Sequence, residues 1–320
     1  MKFNLLITEP DNFSQKAKTI LQEFCKIDDL DSLGGDLENI INNYEIIFVR
    51  LGYKFDKNLL SKAKKLKYIV SPTTGLDHID IEMTDRLGIK VISLKGETEF
   101  LEKISSTAEL TWGLIIGLLR NIPWAFDDVK NANWERDSFR GHDLSSKKLG
   151  IVGLGRLGMK VAQYGIAFGM EVYGYDPYVQ SWCEKIIRVE SLEELLKISD
   201  VISIHVPLNY ETINLIDNNQ FKLIKNGVWI INTSRGKIIN QDALLENLKS
   251  GHVAGAALDV LQDEIQGNGT MMSNKLVQYS KQNKNLIFTP HIGGATFESM
   301  ELTEIFMAKK LCKLIKSEKR

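Results

Sequence analysis

Three side chains that together could perform acid–base chemistry follow three predicted strands in the C-terminal part of the chain. Arg235 follows one strand, Glu264 the next and His291 the last. Because parallel strands of an open α/β sheet end on the same side, where such sheets bind ligands, we expect these side chains to emerge together. An arginine can hold a carboxylate and polarise an adjacent carbonyl group. A histidine can exchange a hydroxyl proton, and a carboxylate beside it favours its charged form.

These groups are what the interconversion of a 2-hydroxy acid and a 2-oxo acid requires when a hydride carrier is also bound. Each also has an ordinary structural interpretation. Arg235 could pair with a surface carboxylate, and Glu264 lies beside Asp263 in an acidic run of the kind that usually faces solvent. No two histidines have the spacing of metal ligands, so no metal site is predicted.

A glycine-rich motif supplies the expected site for the hydride carrier. The six residues are Gly153, Leu154, Gly155, Arg156, Leu157 and Gly158. They lie between a predicted strand and a predicted helix, where the first glycine allows a tight turn and the second lets a pyrophosphate approach the backbone. The third lets the helix pack close to the strand. The motif therefore predicts a dinucleotide cofactor.

Asp176 indicates which dinucleotide is bound. It ends the next predicted strand, where a carboxylate can accept hydrogen bonds from the adenosine ribose hydroxyls. The charge would repel a 2′-phosphate, and the residues that follow, Pro177 to Gln180, include no arginine to bind one. We therefore expect NAD rather than NADP.

Short apolar runs alternate with helical segments along most of the chain, which is typical of an α/β fold with doubly wound parallel sheets. A first series has predicted strands at Phe3–Thr8, Ile46–Arg50, Tyr68–Ser71 and Val91–Ser93. A second series has them at Lys148–Gly153, Glu171–Asp176, Val201–His205, Val228–Asn232, Val253–Asp259 and Leu286–Thr289. The six strands of the second series match the number in a dinucleotide-binding sheet. A strongly apolar helix is predicted over Ser105–Asn121, with Ser105 or Ser106 as its N-cap.

The composition indicates an ordinary globular protein of about two domains. Of the 320 residues 43% are hydrophobic, and 40 Lys and Arg against 41 Asp and Glu leave a net charge of −1. That balance argues against a nucleic acid or an anionic membrane as a partner. The three cysteines lack the spacing of metal ligands and favour a reducing cytoplasm.

Five motifs occur in the order typical of one family. They are the glycine-rich motif, His205-Val206-Pro207-Leu208, Asn232-Thr233-Ser234-Arg235-Gly236, Ala257-Leu258-Asp259-Val260 and Thr289-Pro290-His291-Ile292-Gly293-Gly294. The chain thereby resembles the D-isomer-specific 2-hydroxyacid dehydrogenases, most closely the phosphoglycerate-dehydrogenase-like branch. The resemblance implies NAD-dependent hydride transfer between a D-2-hydroxy acid and its 2-oxo acid. Arg235, Glu264 and His291 would be the catalytic residues.

The resemblance also implies roles for other residues. It selects Glu264 over Asp263 by its spacing from Asp259, and it assigns Arg235 to the substrate as well. In cofactor binding it implies, besides the glycine-rich motif and Asp176, the residues His205, Pro207, Thr233 and Asp259, the last at the nicotinamide amide. At the substrate carboxylate it implies the backbone of Thr74 and Gly75.

Two domains and a homodimer follow from the same resemblance. A flavodoxin-like substrate domain would comprise residues 1–103 plus 291–320, and a Rossmann-like NAD domain residues 104–290. The active site would lie in the cleft between them. The apolar helix Ser105–Asn121 would connect the domains and contribute to the dimer surface.

The identity of the substrate stays open at this point. The phosphoglycerate branch typically has arginines that bind the substrate phosphate at the positions of Arg50 and Ser71. This chain has only the first of the two. We therefore expect a 2-hydroxy acid of modest size, with 3-phosphoglycerate less favoured. Two alternatives are phosphoglycerate dehydrogenase proper and, in another functional class, an NAD-sensing corepressor or scaffold of the same fold.

Overall fold

The computed structural model describes residues 2–180, 183–262, 264 and 268–318, without the side chains of residues 268–270. The chain divides into two compact units. Unit 1 is Met1–Ile104 with Ala295–Arg320, and unit 2 is Ser105–Gly294. Each unit is built on one sheet in which all the paired strands are parallel, so the predicted α/β fold with doubly wound parallel sheets is confirmed.

The strands of the two sheets are short and mostly apolar. The unit 1 sheet has the order β2-β1-β3-β4-β5 and the unit 2 sheet the order β12-β11-β10-β9-β6-β7-β8. In unit 1 the strands are β1 (Phe3–Ile7), β2 (Cys25–Asp29), β3 (Ile46–Phe48), β4 (Tyr68–Val70) and β5 (Lys90–Ile92). In unit 2 they are β6 (Lys148–Val152), β7 (Glu171–Tyr175), β8 (Ile187–Arg188), β9 (Val201–Ile204), β10 (Val228–Asn232), β11 (Val253–Leu258) and β12 (Leu286–Phe288).

Helices connect the strands and cover the sheets. In unit 1 they are α1 (Gln15–Gln22), α2 (Leu37–Ile40), α3 (Lys57–Lys62), α4 (Ile81–Arg86), α5 (Thr98–Leu101) and α14 (Phe297–Glu318). In unit 2 they are α6 (Ser106–Leu119), α7 (Ile122–Lys130), α8 (Arg156–Ala167), α9 (Leu192–Ile198), α10 (Asn218–Phe221), α11 (Gln241–Ser250), α12 (Asn268–Ser273) and α13 (Lys275–Ser280). Short 3-10 helices lie at Leu30–Leu33, Ile41–Asn43, Asp137–Phe139 and Gly236–Ile238.

Both faces of each sheet are buried. In β1, Leu5 and Ile7 pack in the same core as residues of α14, whereas Leu6 packs in the core on the opposite face. In unit 2, Ile202 and Val201 of β9 likewise belong to cores on opposite faces. This two-sided burial explains why the central strands are continuously apolar rather than alternating. Each fully buried Leu or Ile contributes about 1.5–3 kcal/mol to the stability of the fold.

The strand orders create one switch point in each sheet. In unit 1 the chain runs outward from β1 to β2 and then returns to β3 on the other side of β1. In unit 2 it runs from β6 through β7 to β8 and returns to β9 beside β6. Crevices at the carboxyl ends of such strand pairs are the usual ligand sites of open α/β sheets. The loops after β1, β3, β6 and β9 are therefore where binding groups are expected.

Helix α6 confirms the predicted apolar helix and one of its two predicted N-cap residues. Ser105 is the N-cap residue, yet its side chain makes no capping hydrogen bond and donates to the Glu109 carboxylate instead. The helix is buried along most of its length, with Trp112 donating to the Val161 carbonyl oxygen at 3.1 Å. Despite this apolar helix, the described part of the chain has no helix that combines the length and hydropathy needed to cross a bilayer.

Candidate active site

The glycine-rich loop has the geometry of a pyrophosphate cradle. Gly153 has φ +91, which favours glycine, and begins the tight turn after β6. A Cβ on Gly158 would collide with the Gly153 carbonyl oxygen, so only glycine lets α8 approach the strand this closely. A Cβ on Gly155 would meet nothing within 4 Å, which leaves open space beside the N-terminus of α8. Helix N-termini of this kind bind phosphate through their free N–H groups and dipole.

Asp176 ties this loop to the segment after β7. One carboxylate oxygen accepts from the Leu154 backbone N–H at 2.8 Å. The other accepts from the N–H groups of Tyr178 and Val179 at 2.9 and 3.1 Å. An ionised carboxylate has about four acceptor positions, so the side chain retains capacity for a ribose hydroxyl. The residues present therefore fit a dinucleotide with its pyrophosphate at α8 and its adenosine ribose at Asp176.

His205 and Thr233 follow β9 and β10, with side chains that already have hydrogen-bond partners. The Nε2 atom of His205 lies 2.8 Å from the Ser203 hydroxyl. Although the residue as a whole is half-buried, loss of hydration lowers the pKa of its imidazole from 6.5 to about 4, so the ring is neutral at physiological pH. The buried Thr233 hydroxyl lies 2.9 Å from that of Thr111 in α6. Pro207 is exposed two residues beyond His205.

His291 and Glu264 form the central pair of the site. Nδ1 of His291 lies 2.5 Å from Oε1 of Glu264, and both side chains are about a quarter exposed. The other Glu264 oxygen accepts from the Leu261 backbone N–H at 2.9 Å, which fixes the carboxylate. With Nδ1 held by Glu264, Nε2 is the ring nitrogen that can exchange a proton with a ligand.

Asp259 holds the backbone on which His291 lies. It is buried, and its Oδ1 accepts from the Thr289 hydroxyl and the Ile292 N–H at 2.5 and 2.9 Å. Its Oδ2 accepts from the Gly293 N–H at 2.8 Å. Burial raises the pKa of Asp259, and these three donors oppose that rise by stabilising the charged form. The carboxylate thus fastens the segment 289–293, in which His291 adopts the left-handed φ of +54.

Arg235 lies in a tight turn after β10. Asn232 donates from its side chain to the Arg235 carbonyl oxygen at 2.9 Å, which closes the turn. The Arg235 guanidinium donates through Nη1 to the Ser234 carbonyl oxygen at 2.7 Å. A Cβ on Gly236 would collide with the Leu261 backbone. The arginine turn therefore lies against the start of the segment that carries Glu264, within the same unit as His291.

The sequence motif containing Thr74 and Gly75 forms a braced loop after β4 in unit 1. Thr73 donates its hydroxyl to the Gly75 carbonyl oxygen at 2.8 Å, and Ser71 lies 2.8 Å from the same hydroxyl. Thr74 is exposed and Gly75 half-buried. The predicted substrate residue Arg50 follows β3 and forms an ion pair with Glu304.

The chain matches a known family along more than half of its length. Residues 112–293 match the D-isomer specific 2-hydroxyacid dehydrogenase, NAD binding domain. The chain belongs to the D-isomer specific 2-hydroxyacid dehydrogenases. The matched range holds the glycine-rich loop, Asp176, Arg235, Glu264 and His291, so this segment is the family's NAD-binding domain and NAD is the cofactor.

The chain is similar to proteins that are named for different activities. It is 34% identical to a D-3-phosphoglycerate dehydrogenase of Methanocaldococcus jannaschii, over 98% of this chain and 58% of that protein. It is also 34% identical to a hydroxypyruvate reductase of Thermotoga maritima, over 87% of each chain. The D-lactate dehydrogenase of Aquifex aeolicus, solved with NAD and lactic acid, superposes with a TM-score of 0.82 at 32% identity, covering 98% of this chain and 96% of that one. The chain spans 50–58% of the length of the microbial phosphoglycerate dehydrogenases that it matches.

Several residues that shape the site were not predicted from the sequence. Thr111 and Thr289 contact predicted site residues that are distant in the chain, whereas Ser203 contacts His205 two residues away. The only sequence signal of Thr111 and Ser203 is a polar residue in an apolar element. Glu304 has a clearer signal, because it shares the apolar face of α14 with Met307 and other buried residues.

Proposed function

We propose that this dehydrogenase transfers hydride between NAD(H) and a D-2-hydroxy acid/2-oxo acid pair. The observation that carries the proposal is the His291–Glu264 pair, held beside the Arg235 turn in the unit that binds NAD. A paired imidazole is a proton donor or acceptor, and an arginine at the same end of the sheet binds the acid. A protein that only senses NAD would need neither.

In the direction of reduction, the chain's own groups act on the carbonyl of the 2-oxo acid. Arg235 binds the substrate carboxylate and polarises the neighbouring carbonyl group. Protonated His291 donates its Nε2 proton to the carbonyl oxygen as negative charge develops there, and Glu264 stabilises the imidazolium before transfer. The bound nicotinamide supplies the hydride. In oxidation neutral His291 accepts the hydroxyl proton.

The remaining roles are proposed from likeness to the family. We assign unit 2 to NAD and unit 1 to substrate binding, with the backbone of Thr74 and Gly75 at the carboxylate. His205, Pro207 and Thr233 line the cofactor. The relatives' names, D-lactate dehydrogenase and hydroxypyruvate reductase, suggest 2-oxo acids of three carbons as first substrates.

We also propose a cytoplasmic homodimer. Helix α7 has no buried residue and leaves Ile122, Phe126 and Val129 exposed, with Trp134 exposed just beyond it. Apolar residues concentrated on one short segment are typical of a protein interface, and a second copy would cover them. The described cysteines are free, as expected in a reducing compartment. Sedimentation at twice the chain mass tests the dimer.

Oxidation of NADH with pyruvate, glyoxylate and hydroxypyruvate tests the activity. We expect turnover by the unmodified protein and a loss of about 10²–10⁴-fold in kcat for His291→Asn. His142→Asn is the matched control, because His142 is exposed and its ring contacts that of Trp229 at a tilted angle, away from the site residues. NADH binding without turnover of any 2-oxo acid would instead favour a sensor or scaffold.

A further inference from the structure

The switch point of the unit 1 sheet holds an arginine that is already paired. Arg50 lies at the carboxyl end of β3, beside β1, where an open sheet offers its ligand crevice. Its Nε and Nη2 both donate to Oε1 of Glu304, at 3.0 and 2.5 Å. Its Nη1 donates to the Asp11 carbonyl oxygen at 3.1 Å, and the guanidinium carbon lies 5.7 Å from the centre of the Phe13 ring. The arginine is therefore held on three sides.

Glu304 reaches this arginine from the C-terminal helix α14. Its side chain is only 1% exposed, although its neighbours on the same helix face are apolar. The oxygen that does not contact Arg50 accepts from the Ser14 backbone N–H at 2.7 Å. A buried carboxylate is tolerated when it is paired and hydrogen-bonded, and Glu304 meets both conditions. The pair thus presents no net positive charge at the crevice.

A second carboxylate occupies the backbone donors of the same loop. Glu9, directly after β1, accepts from the N–H groups of Arg50 and Gly52 at 2.8 and 2.6 Å. It also accepts from the Thr8 hydroxyl at 2.6 Å. Loop N–H groups at a switch point are the donors that an anionic ligand would use. Here they bind a carboxylate, so Glu9 occupies the backbone donors beside Arg50 while Glu304 pairs with its guanidinium.

We propose that Glu304 is a specificity-determining residue that excludes phosphorylated substrates by neutralising Arg50. The substrate is then an unphosphorylated 2-hydroxy or 2-oxo acid. This inference rests on the proposed function and narrows its substrate class. Ser71 is consistent with it: the side chain is buried and its hydroxyl contacts Thr73 and His78, at 2.8 and 3.3 Å, so this position supplies no charge for a phosphate.

Hydroxypyruvate and 3-phosphohydroxypyruvate form a matched pair of substrates that differ only in the phosphate group. For the unmodified dehydrogenase we expect kcat/KM with NADH to favour hydroxypyruvate. Glu304→Gln keeps the size of the side chain and removes its charge. The positive charge of Arg50 is then no longer neutralised by residue 304. We expect this variant to shift the ratio of the two kcat/KM values toward the phosphorylated substrate by about tenfold or more, the value of one charge-assisted hydrogen bond.

The double variant R50M/E304M is the control. Replacing a buried ion pair by apolar side chains is often neutral for stability, and this variant has no cation to bind phosphate. We expect it to keep the substrate ratio of the unmodified protein. A purely structural role for Glu304 would lower both kcat/KM values of Glu304→Gln together and leave their ratio unchanged, which would overturn the inference.

Binding measurements distinguish a failure of this inference from a failure of the proposed function. Calorimetry on the NADH-loaded protein compares D-glycerate with 3-phosphoglycerate, which cannot react with the reduced cofactor. Weaker binding of 3-phosphoglycerate, and a gain of about tenfold for it in Glu304→Gln, supports the inference even if no 2-oxo acid is turned over. Tighter binding of 3-phosphoglycerate by the unmodified protein overturns it. Absence of turnover with every 2-oxo acid would overturn only the proposed function.

Discussion

The chemistry proposed for this protein depends on the pairing of His291 with Glu264. The imidazole alone could exchange a proton, but the carboxylate fixes which nitrogen faces the ligand and stabilises the charged ring. Glu264 is itself fixed by the Leu261 N–H. The charge and the geometry of this pair can therefore be separated by a substitution that changes one and keeps the other.

Glu264→Gln makes that separation. The amide can still accept a hydrogen bond at His291 but carries no charge, so it gives less stabilisation to the positive charge that forms on the imidazole when it accepts the hydroxyl proton in oxidation. We expect oxidation of a 2-hydroxy acid with NAD to slow by about tenfold or more. The steady-state kcat for oxidation measures the effect. An unchanged kcat in Glu264→Gln would show that the charge of Glu264 does not act through the histidine.

A second prediction concerns the pH dependence of stability. The imidazole of His205 is neutral in the folded chain. Desolvation lowers its pKa from 6.5 to about 4, so between these pH values the unfolded chain binds the proton that the folded chain rejects. The stability associated with neutral His205 is thus fully present above pH 6.5 and is lost as the pH falls toward 4. We expect the free energy of unfolding in urea to fall less between about pH 7 and about pH 5 in His205→Gln than in the unmodified protein. Equal falls in the two proteins would contradict a buried neutral ring.

At the scale of elements, the apolar strands were predictable, including the edge strands β5 and β12, whereas the edge strands β2 and β8 were missed. The apolar runs of β3, β9 and β10 are buried on both faces, and burial is what makes such runs visible in a sequence. The edge strand β2 was missed because its residues, Cys25 to Asp29, are largely polar and only its first residue is buried. The two-residue strand β8 is exposed and carries no apolar pattern.

Site residues that directly follow a predicted strand could be located from the sequence. The residues that contact them from distant parts of the chain could not. The glycine-rich motif, Arg235 and His291 follow strands whose ends the sequence reveals. Glu304 contacts Arg50 across most of the chain length, and no local pattern specifies which helix covers which strand end. The predicted role of Asp259 at the nicotinamide amide stays a prediction. The structure adds that its carboxylate also fastens the segment carrying His291.

Asp259→Asn tests this fastening. One acceptor oxygen becomes an NH2 group that faces the N–H donors of Ile292 and Gly293, so the segment loosens and His291 is displaced from Glu264. We expect kcat to fall by about 10²-fold, because a displacement of about 1 Å is enough for such a loss. Amide hydrogen exchange at residues 292 and 293 should accelerate. Thr289→Val, which removes one donor and leaves the carboxylate, should have a smaller effect. A full loss of kcat with unchanged exchange would indicate that Asp259 acts on the cofactor directly.

At the scale of the whole molecule, the near-zero net charge and the two sheet-based units are consistent with an enzyme that binds small anions locally. Each unit has one switch point, and each switch point carries polar groups arranged by the ends of buried strands. In unit 2 these groups form a dinucleotide cradle, whereas in unit 1 they form the Arg50–Glu304 pair with Glu9. The proposed assignment of unit 2 to the cofactor and unit 1 to the substrate is consistent with this difference.

Transfer of deuterium from the cofactor to the substrate tests hydride transfer most directly. NADH carrying two deuterium atoms at C4 of the nicotinamide is incubated with the protein and a 2-oxo acid, and the product is analysed by mass spectrometry and chiral chromatography. We expect one deuterium at C2 of a D-2-hydroxy acid, and no product from His291→Asn above the residual rate. Bound NADH that yields no deuterated product with any 2-oxo acid would contradict the proposed function.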